Sequence, residues 1–387
     1  MRTYEETHPW LRFQLDLRQF DYHLWLMLGE AESKCQHISG VPLLPGVAEM
    51  LHQVYLAKGA LATTAIEGNT LTEEQVMQRL QGQLHLPPSK HYLGQEIDNI
   101  VQACNQIADE IFQGRSTGLD VESFKADNRQ VLKGLAVAEG VEAGVIRTYS
   151  VGVASYRGAP AEDCAYLLER LAGWLNQGFA PPDGRYPIAF GLLKAILAHL
   201  YLAWIHPFGD GNGRLARLVE FRILLAAGVP SAAAHLLSNH YNQTRAEYYR
   251  QLERASLSGG DVIPFVRYAV QGFIDGLHEQ LQLIRGQQLH VHWVNFIHEQ
   301  FRERTSATDI RRRHLVLDLT AASAPVPAAN VRHISPRVAE AYAGKSEKTI
   351  QRDLNELERM DLIERLPNGV QVRRERLRAF LPGRRPV

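Results

Sequence analysis

Twelve consecutive residues bring together side chains whose types and spacing could do chemistry. The run reads HPFGDGNGRLAR, from His206 to Arg217, and follows an apolar stretch with helical spacing. Because proline cannot continue that helix, the chain turns through three glycines, and a second helix is predicted to begin near Arg214. Glycine-rich backbone at a helix start can point several N–H groups at one centre, and the helix dipole adds positive charge there. The sequence therefore predicts a phosphate-binding loop.

The charged and titratable residues of the loop extend this prediction. Arg214 and Arg217 are three residues apart, so they share one helical face and can reach further phosphates. Asp210 places a carboxylate within a cationic turn, which suits a Mg²⁺ ion that arrives with a nucleotide. His206, at the rim, can act as a general base near neutral pH. Each feature alone is usually a turn, a solvated face or a helix cap, but together they indicate nucleotide chemistry.

The run also resembles the signature of the Fic family, H-P-F-x-[D/E]-G-N-G-R-x-x-R, and matches it at every defined position. The resemblance implies an all-helical core and transfer of AMP from Mg-bound ATP to a Ser, Thr or Tyr hydroxyl of a target protein. It implies that His206 deprotonates the hydroxyl, Asp210 holds Mg²⁺ and Phe208 anchors the loop. It also implies that Asn212, with the N–H groups around it at Gly211 and Gly213, fixes the α-phosphate. Arg214 and Arg217 would bind the outer phosphates.

Tyr249 is a candidate adenine contact. It lies where members of the family place groups around the base, and its ring could stack there. Tyrosines on helices more often belong to the core or the surface, so this assignment depends on the resemblance alone.

An upstream segment predicts a built-in inhibitor. A helix that starts at about Val47 is expected to end at Gly68, which leaves Glu67 at its C-terminus. A carboxylate there is unfavourable by ~0.3–1 kcal/mol against the helix dipole, so a cationic partner is expected. The segment resembles the inhibitory motif of the family, [S/T]-x-x-x-E-[G/N], with Thr63, Glu67 and Gly68 at its defined positions. By this resemblance Glu67 pairs with Arg217, blocks productive binding of the γ-phosphate and makes the chain self-inhibited in cis.

A short β segment is predicted from Thr148 to Tyr156. Val151 and Val153 alternate with small residues around Gly152, which indicates a hairpin or an edge strand. By its resemblance to the Fic family, this segment corresponds to the flap of that family. The edge of the flap positions a target segment by main-chain pairing. A purely structural hairpin is the alternative.

Helices are predicted to position these residues. Apolar residues recur at helical spacing through most of the chain, as at Leu24, Met27, Leu28 and Ala31, so the fold class is mainly α. The expected organisation is an N-terminal helical region with the inhibitory motif (1–115), a Fic catalytic core with its β-hairpin flap (116–285), a helical connector (286–308) and a winged helix-turn-helix domain (309–387).

The C-terminal region differs in charge from the rest. From Asp309 to Val387 there are sixteen Lys and Arg against ten Asp and Glu, a net charge of +6 within a neutral chain. Helical segments followed by two short strands around Pro367-Asn368-Gly369 predict a winged helix. Its charge is compatible with DNA, but four acidic residues dilute the expected recognition helix: Glu347, Asp353, Glu356 and Glu358. A protein-docking or dimerising module, with a homodimer as one outcome, is therefore favoured over DNA binding.

Composition limits the remaining alternatives. Three widely spaced cysteines without a C-x-x-C pair argue against disulfides and zinc, and the first residues carry no export signal, so a cytoplasmic protein is expected. The apolar stretch from Tyr186 to Ile205 contains Lys194 and His199, which favours a buried helix over a membrane span. The predicted partners are ATP and unidentified target proteins, including the chain itself. A DNA-binding regulator with a nucleotide-sensing core, and an enzyme that removes AMP from its targets, stay as alternatives.

Overall fold

The computed structural model describes residues 2–115, 118–153 and 156–377. The chain forms two compact units, residues 1–281 and residues 282–387. Helices dominate both units, so the predicted mainly α fold is confirmed. The four-part functional division stays a prediction.

The described helices of the first unit are α1 (Thr3–Thr7), α2 (Tyr22–Gly40), α3 (Pro45–Ala65), α4 (Glu73–Leu80), α5 (His91–Phe112), α6 (Val121–Val131), α7 (Cys164–Gln177), α8 (Pro187–Ile205), α9 (Asn212–Ala226), α10 (Leu236–Gln243) and α11 (Arg245–Leu257). A longer helix, α12 (Ile263–Gln300), continues into the second unit. An antiparallel hairpin of β1 (Gly152–Val153) and β2 (Tyr156–Arg157) pairs Gly152 with Arg157 and Val153 with Tyr156.

Helix α8 lies at the centre of the first unit, where it packs against α2, α7 and α9. Among the residues that the structure describes, it alone has the length and apolar composition of a membrane span, and most of it is buried inside the protein. Glu32 of α2 accepts a hydrogen bond from the Ala189 N–H at 2.8 Å, which places a carboxylate at the positive end of α8. This arrangement fixes the helix whose other end carries the phosphate-binding loop.

Two helix limits differ from the sequence prediction. The connecting helix, expected from Gln282 to Arg304, is the later part of α12, which begins at Ile263. Pro264 suits the first turn of a helix, and no later proline interrupts this one. Helix α9 begins at Asn212 and not near Arg214, because the left-handed Gly211 (φ 76°) completes the turn before it.

The second unit contains α13 (Ala307–Leu319), α14 (Pro336–Ala341), α15 (Glu347–Arg359), β3 (Ile363–Leu366) and β4 (Gly369–Val372). The two strands pair antiparallel, with Ile363 opposite Val372, and an isolated bridge joins Val326 to Val370. The predicted helices and terminal hairpin are thus present in the predicted order. The winged-helix assignment stays a prediction.

Candidate active site

The phosphate-binding loop connects α8 to α9. His206 follows the last residue of α8 in the left-handed conformation (φ 48°), and its N–H donates to the Leu202 carbonyl at 2.9 Å. Pro207 then prevents further helix. The left-handed turn at a helix end redirects the chain at once, so the His206 side chain lies beside the start of α9.

Arg147 holds the end of α8 in place. Its buried guanidinium donates to the carbonyl oxygens of His206 (2.7 Å), Tyr149 (2.6 Å) and Ala159 (2.5 Å), and also reaches Ile205 (3.3 Å). Carbonyls in the last turn of a helix have no intrahelical partner, so one side chain satisfies several of them. No local pattern in the sequence indicates the role of Arg147, because its acceptors come from three separate segments.

Two asparagines fix the shape of the loop. The Asn212 amide accepts from the Phe208 N–H (3.0 Å) and donates to the Phe208 carbonyl (2.8 Å). Asn128 on α6 donates to the Asp210 carbonyl (2.9 Å) and accepts from the Gly144 N–H (2.8 Å). Both asparagines are buried, so the loop is preformed. The Asn212 side chain thus holds the loop itself, and its backbone N–H is the group that remains for a ligand.

The start of α9 is open to an anion. The first N–H groups of a helix have no intrahelical partner, and within the described residues no side chain caps this one. Arg217 is buried, and neither its Nε nor its Nη1 atom has a hydrogen-bond partner in the described structure. Unpaired donors of a buried guanidinium are costly, so this site suits a phosphate.

Glu67 contacts Arg217, as the sequence analysis expects. Its Oε1 atom lies 2.5 Å from Arg217 Nη2, which also donates to the Thr63 carbonyl at 2.9 Å. Arg245 donates to the carbonyls of Ala65 (3.2 Å) and Ile66 (2.5 Å). Two arginines therefore bind the C-terminal end of α3, where positive charge interacts favourably with the negative end of the helix dipole. Gly68, with φ 106°, ends the segment.

Arg214 has a different environment. It pairs with Glu96 (Nη1–Oε1, 3.1 Å) and with Asp210 (Nη2–Oδ1, 3.2 Å). Glu96 is in turn held by the Asn69 amide at 2.8 Å. The role of Glu96 could not be predicted from the sequence, because a carboxylate in the second turn of α5 resembles any solvated acid until the fold brings it to the loop.

A cavity of about 510 Å³ joins these groups. Its lining includes Glu67, His206, Gly213, Arg217 and Tyr249. The other predicted site residues with described side chains do not line it: Thr63, Gly68, Asp210, Gly211, Asn212, Arg214 and the flap residues Val151 and Gly152. The side chain of Val153 lies outside the described part of the structure. The cavity therefore gathers the predicted base, one arginine, the inhibitory glutamate and the predicted adenine contact.

Burial sets the protonation of His206. Burial is the largest cause that lowers the pKa of His206, and Arg147 acts in the same direction; with the opposing effects of Ala203, Glu67 and Asp210 the pKa is about 4. For Glu67, burial alone would raise the pKa, but the Arg217 guanidinium outweighs burial and the pKa lies below its usual value. At neutral pH the site therefore contains a neutral imidazole beside an ionised carboxylate.

Tyr249 and Tyr248 have separate surroundings. Tyr249 is 41% exposed at the cavity, and its hydroxyl is 3.5 Å from the Ile66 carbonyl oxygen. Tyr248 also lines the cavity, and its hydroxyl lies 2.8 Å from His199 Nε2. His199 Nδ1 is 3.0 Å from a carboxylate oxygen of Glu220. These three polar side chains form a buried series behind the cavity. They could not be predicted from the sequence, because His199 stands among apolar residues of α8 and its partners lie on other helices.

Strand β2 of the flap is anchored by hydrogen bonds to the rest of the first unit. Tyr156 donates to the Trp204 carbonyl at 2.7 Å, and His8 Nε2 lies 2.9 Å from the Arg157 carbonyl oxygen. Ile146 forms a bridge with Phe208, which ties the segment before the flap to the loop. Ala154 and Ser155, in the predicted β segment, lie outside the described residues.

Gly213 leaves the space that Glu67 fills. A methyl group built at Gly213 would overlap Glu67 Oε1 and approach Arg217 Nη1 to 3.2 Å. We expect Gly213→Ala to displace the Glu67 carboxylate from Arg217, to destabilise the wild-type chain by ~1–3 kcal/mol, the range for a lost hydrogen bond between charged groups, and to cost little in a Glu67→Gly background, where the methyl has room. Denaturant unfolding of the four proteins of this cycle measures the coupling. Equal losses in both backgrounds would contradict the close packing of Glu67 on α9.

Comparisons with known proteins agree with this geometry. Residues 118–224 match the Fic/DOC family. The chain is similar to protein adenylyltransferase fic-1 of Caenorhabditis briggsae, with 33% identity over 212 residues, 54% of this chain and 38% of that protein. It is also similar to protein adenylyltransferase Fic of Nematostella vectensis, with 30% identity over 209 residues, 54% of this chain and 45% of that protein. The chain thus spans less than half the length of these curated relatives.

Solved structures show the same fold. A Fic family protein from Desulfovibrio desulfuricans aligns with a TM-score of 0.56 at 20% identity, over 92% of this chain and 97% of that one. Fic-1 from Caenorhabditis elegans aligns with a TM-score of 0.54 at 25% identity, over 68% of this chain and 73% of that one. With the loop and its matched residues, these similarities establish that residues 118–224 match the Fic/DOC family and that the chain shares the fold of these solved Fic proteins.

Proposed function

We propose that this chain transfers AMP from ATP to a hydroxyl side chain of a protein, and that Glu67 restrains this activity. One observation carries the proposal: the buried Arg217 has two unpaired donor atoms at the uncapped start of α9, and its Nη2 atom is held by Glu67. The neutral His206 lines the same cavity. The relatives named protein adenylyltransferase support this activity for the family.

The chemistry assigns one task to each group. The target hydroxyl oxygen bonds to the α-phosphorus, the bond from that phosphorus to the bridging oxygen of the β-phosphate breaks, and pyrophosphate leaves. His206 takes the hydroxyl proton, which requires its neutral form. The N–H groups at the start of α9 stabilise the charge on the α-phosphate oxygens, and Arg217 binds the outer phosphates. Because the loop is preformed, little reorganisation is needed when charge develops.

Asp210 fits a magnesium ion. Its side chain is 44% exposed, and its Oδ1 atom accepts from the Gly211 N–H at 2.5 Å and from Arg214. Mg²⁺ is commonly held by one or two carboxylates together with substrate phosphates, and the described residues contain no cluster of three or more ligating side chains. When bound, the ion would neutralise phosphate charge. Asp210 would hold it, and Arg214 would keep that carboxylate beside the loop.

Glu67 competes with the nucleotide for Arg217. A γ-phosphate and a carboxylate both need the same guanidinium, and the ionised Glu67 repels phosphate oxygens. Thr63 and Arg245 hold the glutamate in this position, since the Thr63 carbonyl binds Arg217 and Arg245 binds the end of α3. Glu67 therefore inhibits the reaction because it occupies the subsite of the γ-phosphate at Arg217.

The position of the label distinguishes this reaction from protein phosphorylation. Purified chain is incubated with Mg²⁺, a cell lysate as target source and ATP labelled either at the α- or at the γ-phosphate. AMP transfer leaves the α-label on protein and releases the γ-label in pyrophosphate. Label retained on protein from γ-labelled ATP alone would contradict the proposal.

The pKa values predict how activity depends on pH. With a pKa of about 4, His206 is neutral and able to accept a proton above about pH 5. Glu67, whose pKa is lowered, keeps its charge and its bond to Arg217 over the same range; the stability from this pair is lost only as pH falls through the lowered pKa. We expect initial rates of the wild-type chain to stay low between about pH 8 and pH 5. Activation on acidification within that range would contradict this prediction.

A further inference from the structure

Three of the four acidic residues that argued against DNA binding are buried or paired with arginines. Asp353 is buried, where it accepts from Arg311 (2.8 Å), Arg312 (2.7 Å) and the Tyr342 hydroxyl (3.0 Å). Its charge therefore belongs to the core of the second unit. The sequence could not show this, because the partners come from α13 and from the residue that follows α14.

The two later carboxylates are paired with arginines. Glu356 lies 2.7 Å from Arg359 and 3.3 Å from Arg304, and Glu358 lies 3.2 Å from Arg365. These pairs cancel most of the negative charge along the sides of α15. Only Glu347 of the four acidic residues is exposed without an ion pair among the described residues.

The solvent face of α15 carries cations and amides. With 100° per residue, one arc of about 100° contains five exposed residues and no acid: Lys348, Gln351, Arg352, Asn355 and Arg359. Leu354 and Leu357, on the opposite face, are fully buried. In the described part of the chain, Lys348 and Arg352 have no carboxylate partner, and neither has Lys345, in the turn before the helix. Three cations at this face, Lys345, Lys348 and Arg352, are thus uncompensated, whereas Arg359 is paired with Glu356.

The surrounding elements present this face outward. Helix α14 and helix α15 are joined by a short turn in which Gly344 is left-handed (φ 68°), and the β3–β4 hairpin follows α15 directly. Arg365 on β3 donates to the Asn355 side-chain oxygen, so the Asn355 amide nitrogen is available to an acceptor. Two helices joined by a short turn, the second exposed, form the arrangement that enters a major groove.

We propose that the second unit binds duplex DNA, with α15 in the major groove. Arg352 fits the two acceptors of guanine, and the Gln351 side chain fits adenine, which are the pairings that base edges favour. Lys345 and Lys348 lie where they can neutralise phosphates. This inference goes beyond the proposed AMP transfer and reverses the preference for a protein-docking module that the sequence suggested.

The test uses the full chain and a pool of random-sequence duplexes. Bound duplexes are enriched and sequenced, and affinity for an enriched duplex is followed by fluorescence anisotropy between ~50 and ~200 mM salt. The variant Lys348→Ala/Arg352→Ala should bind at least tenfold more weakly, with a salt slope smaller by about 2. The charge-matched control Lys90→Ala/Arg185→Ala, at exposed positions of the first unit, should match the wild type.

A conservative variant separates base recognition from charge and from folding. Arg352→Lys keeps the positive charge but loses the two-pronged contact with guanine, so we expect loss of sequence preference with an unchanged salt slope. Circular dichroism confirms that each variant is folded. Failure of the wild type to retain any duplex at ~50 mM salt would overturn the proposal, and so would equal weakening by the α15 variant and its control.

Discussion

Replacing Glu67 with glycine is expected to raise the rate of AMP transfer by about 5- to 150-fold, the range that corresponds to a coupling free energy of ~1–3 kcal/mol. The variant removes the carboxylate that lies 2.5 Å from Arg217 Nη2. Arg217 can then bind the outer phosphates with its Nε and Nη1 atoms and with the Nη2 donor that Glu67 had occupied, and the repulsion between Glu67 and those phosphates disappears. Initial rates with α-labelled ATP measure the effect.

Two further variants separate charge from backbone effects. Glu67→Gln keeps the size of the side chain and removes its charge, so we expect an intermediate increase. Glu73→Gln makes the same charge change at a position whose carboxylate lies 3.8 Å from Lys58, on a helix outside the cavity; its rate should equal that of the wild type. Similar rates for Glu67→Gly and the wild type would show that Glu67 does not restrain AMP transfer.

Replacing His206 is expected to abolish transfer in the activated Glu67→Gly chain. A positioned general base contributes about 10²–10⁴-fold, so the double variant should fall by that factor. His206 has a φ of 48°, where alanine is strained, whereas asparagine tolerates this conformation. His206→Asn therefore removes the base with little cost to the loop.

Nucleotide binding distinguishes loss of the base from loss of the site. Calorimetric titration with ATP should give nearly unchanged affinity for His206→Asn, because the phosphates contact α9 and Arg217. The exposed His37 offers a matched control, and His37→Asn should leave both binding and transfer unchanged. Full transfer by the His206→Asn chain would show that another group takes the proton.

The local features of the loop could be predicted from sequence, because they depend on neighbours in the chain. Proline ends α8, and glycines form the turn before α9. The charged residues of the site follow within a few positions. The contact between Glu67 and Arg217 was expected from a resemblance to a family motif, since 150 positions separate the two residues. Spacing alone gave only the expectation of a cationic partner at a helix end.

The supporting residues could not be predicted, because their roles depend on long-range packing. Asn128 binds a loop 82 positions later in the chain. Arg147 binds the carbonyl of Ala159, which precedes α8, and the carbonyl of His206, which follows it. Asp353 looks solvated in the sequence and becomes a buried acceptor only when α13 packs beside α15. Burial and partner choice are properties of the fold, which periodicity reports only for apolar faces.

One experiment tests the proposed reaction and its restraint together. Wild type, Glu67→Gly and Glu67→Gly/His206→Asn are incubated with Mg²⁺, α-labelled ATP and the same lysate, and label is followed on protein bands, including the chain itself. We expect weak label with wild type, strong label with Glu67→Gly and none with the double variant. Equal label in the first two, or label that persists in the third, would contradict AMP transfer that is catalysed by His206 and restrained by Glu67.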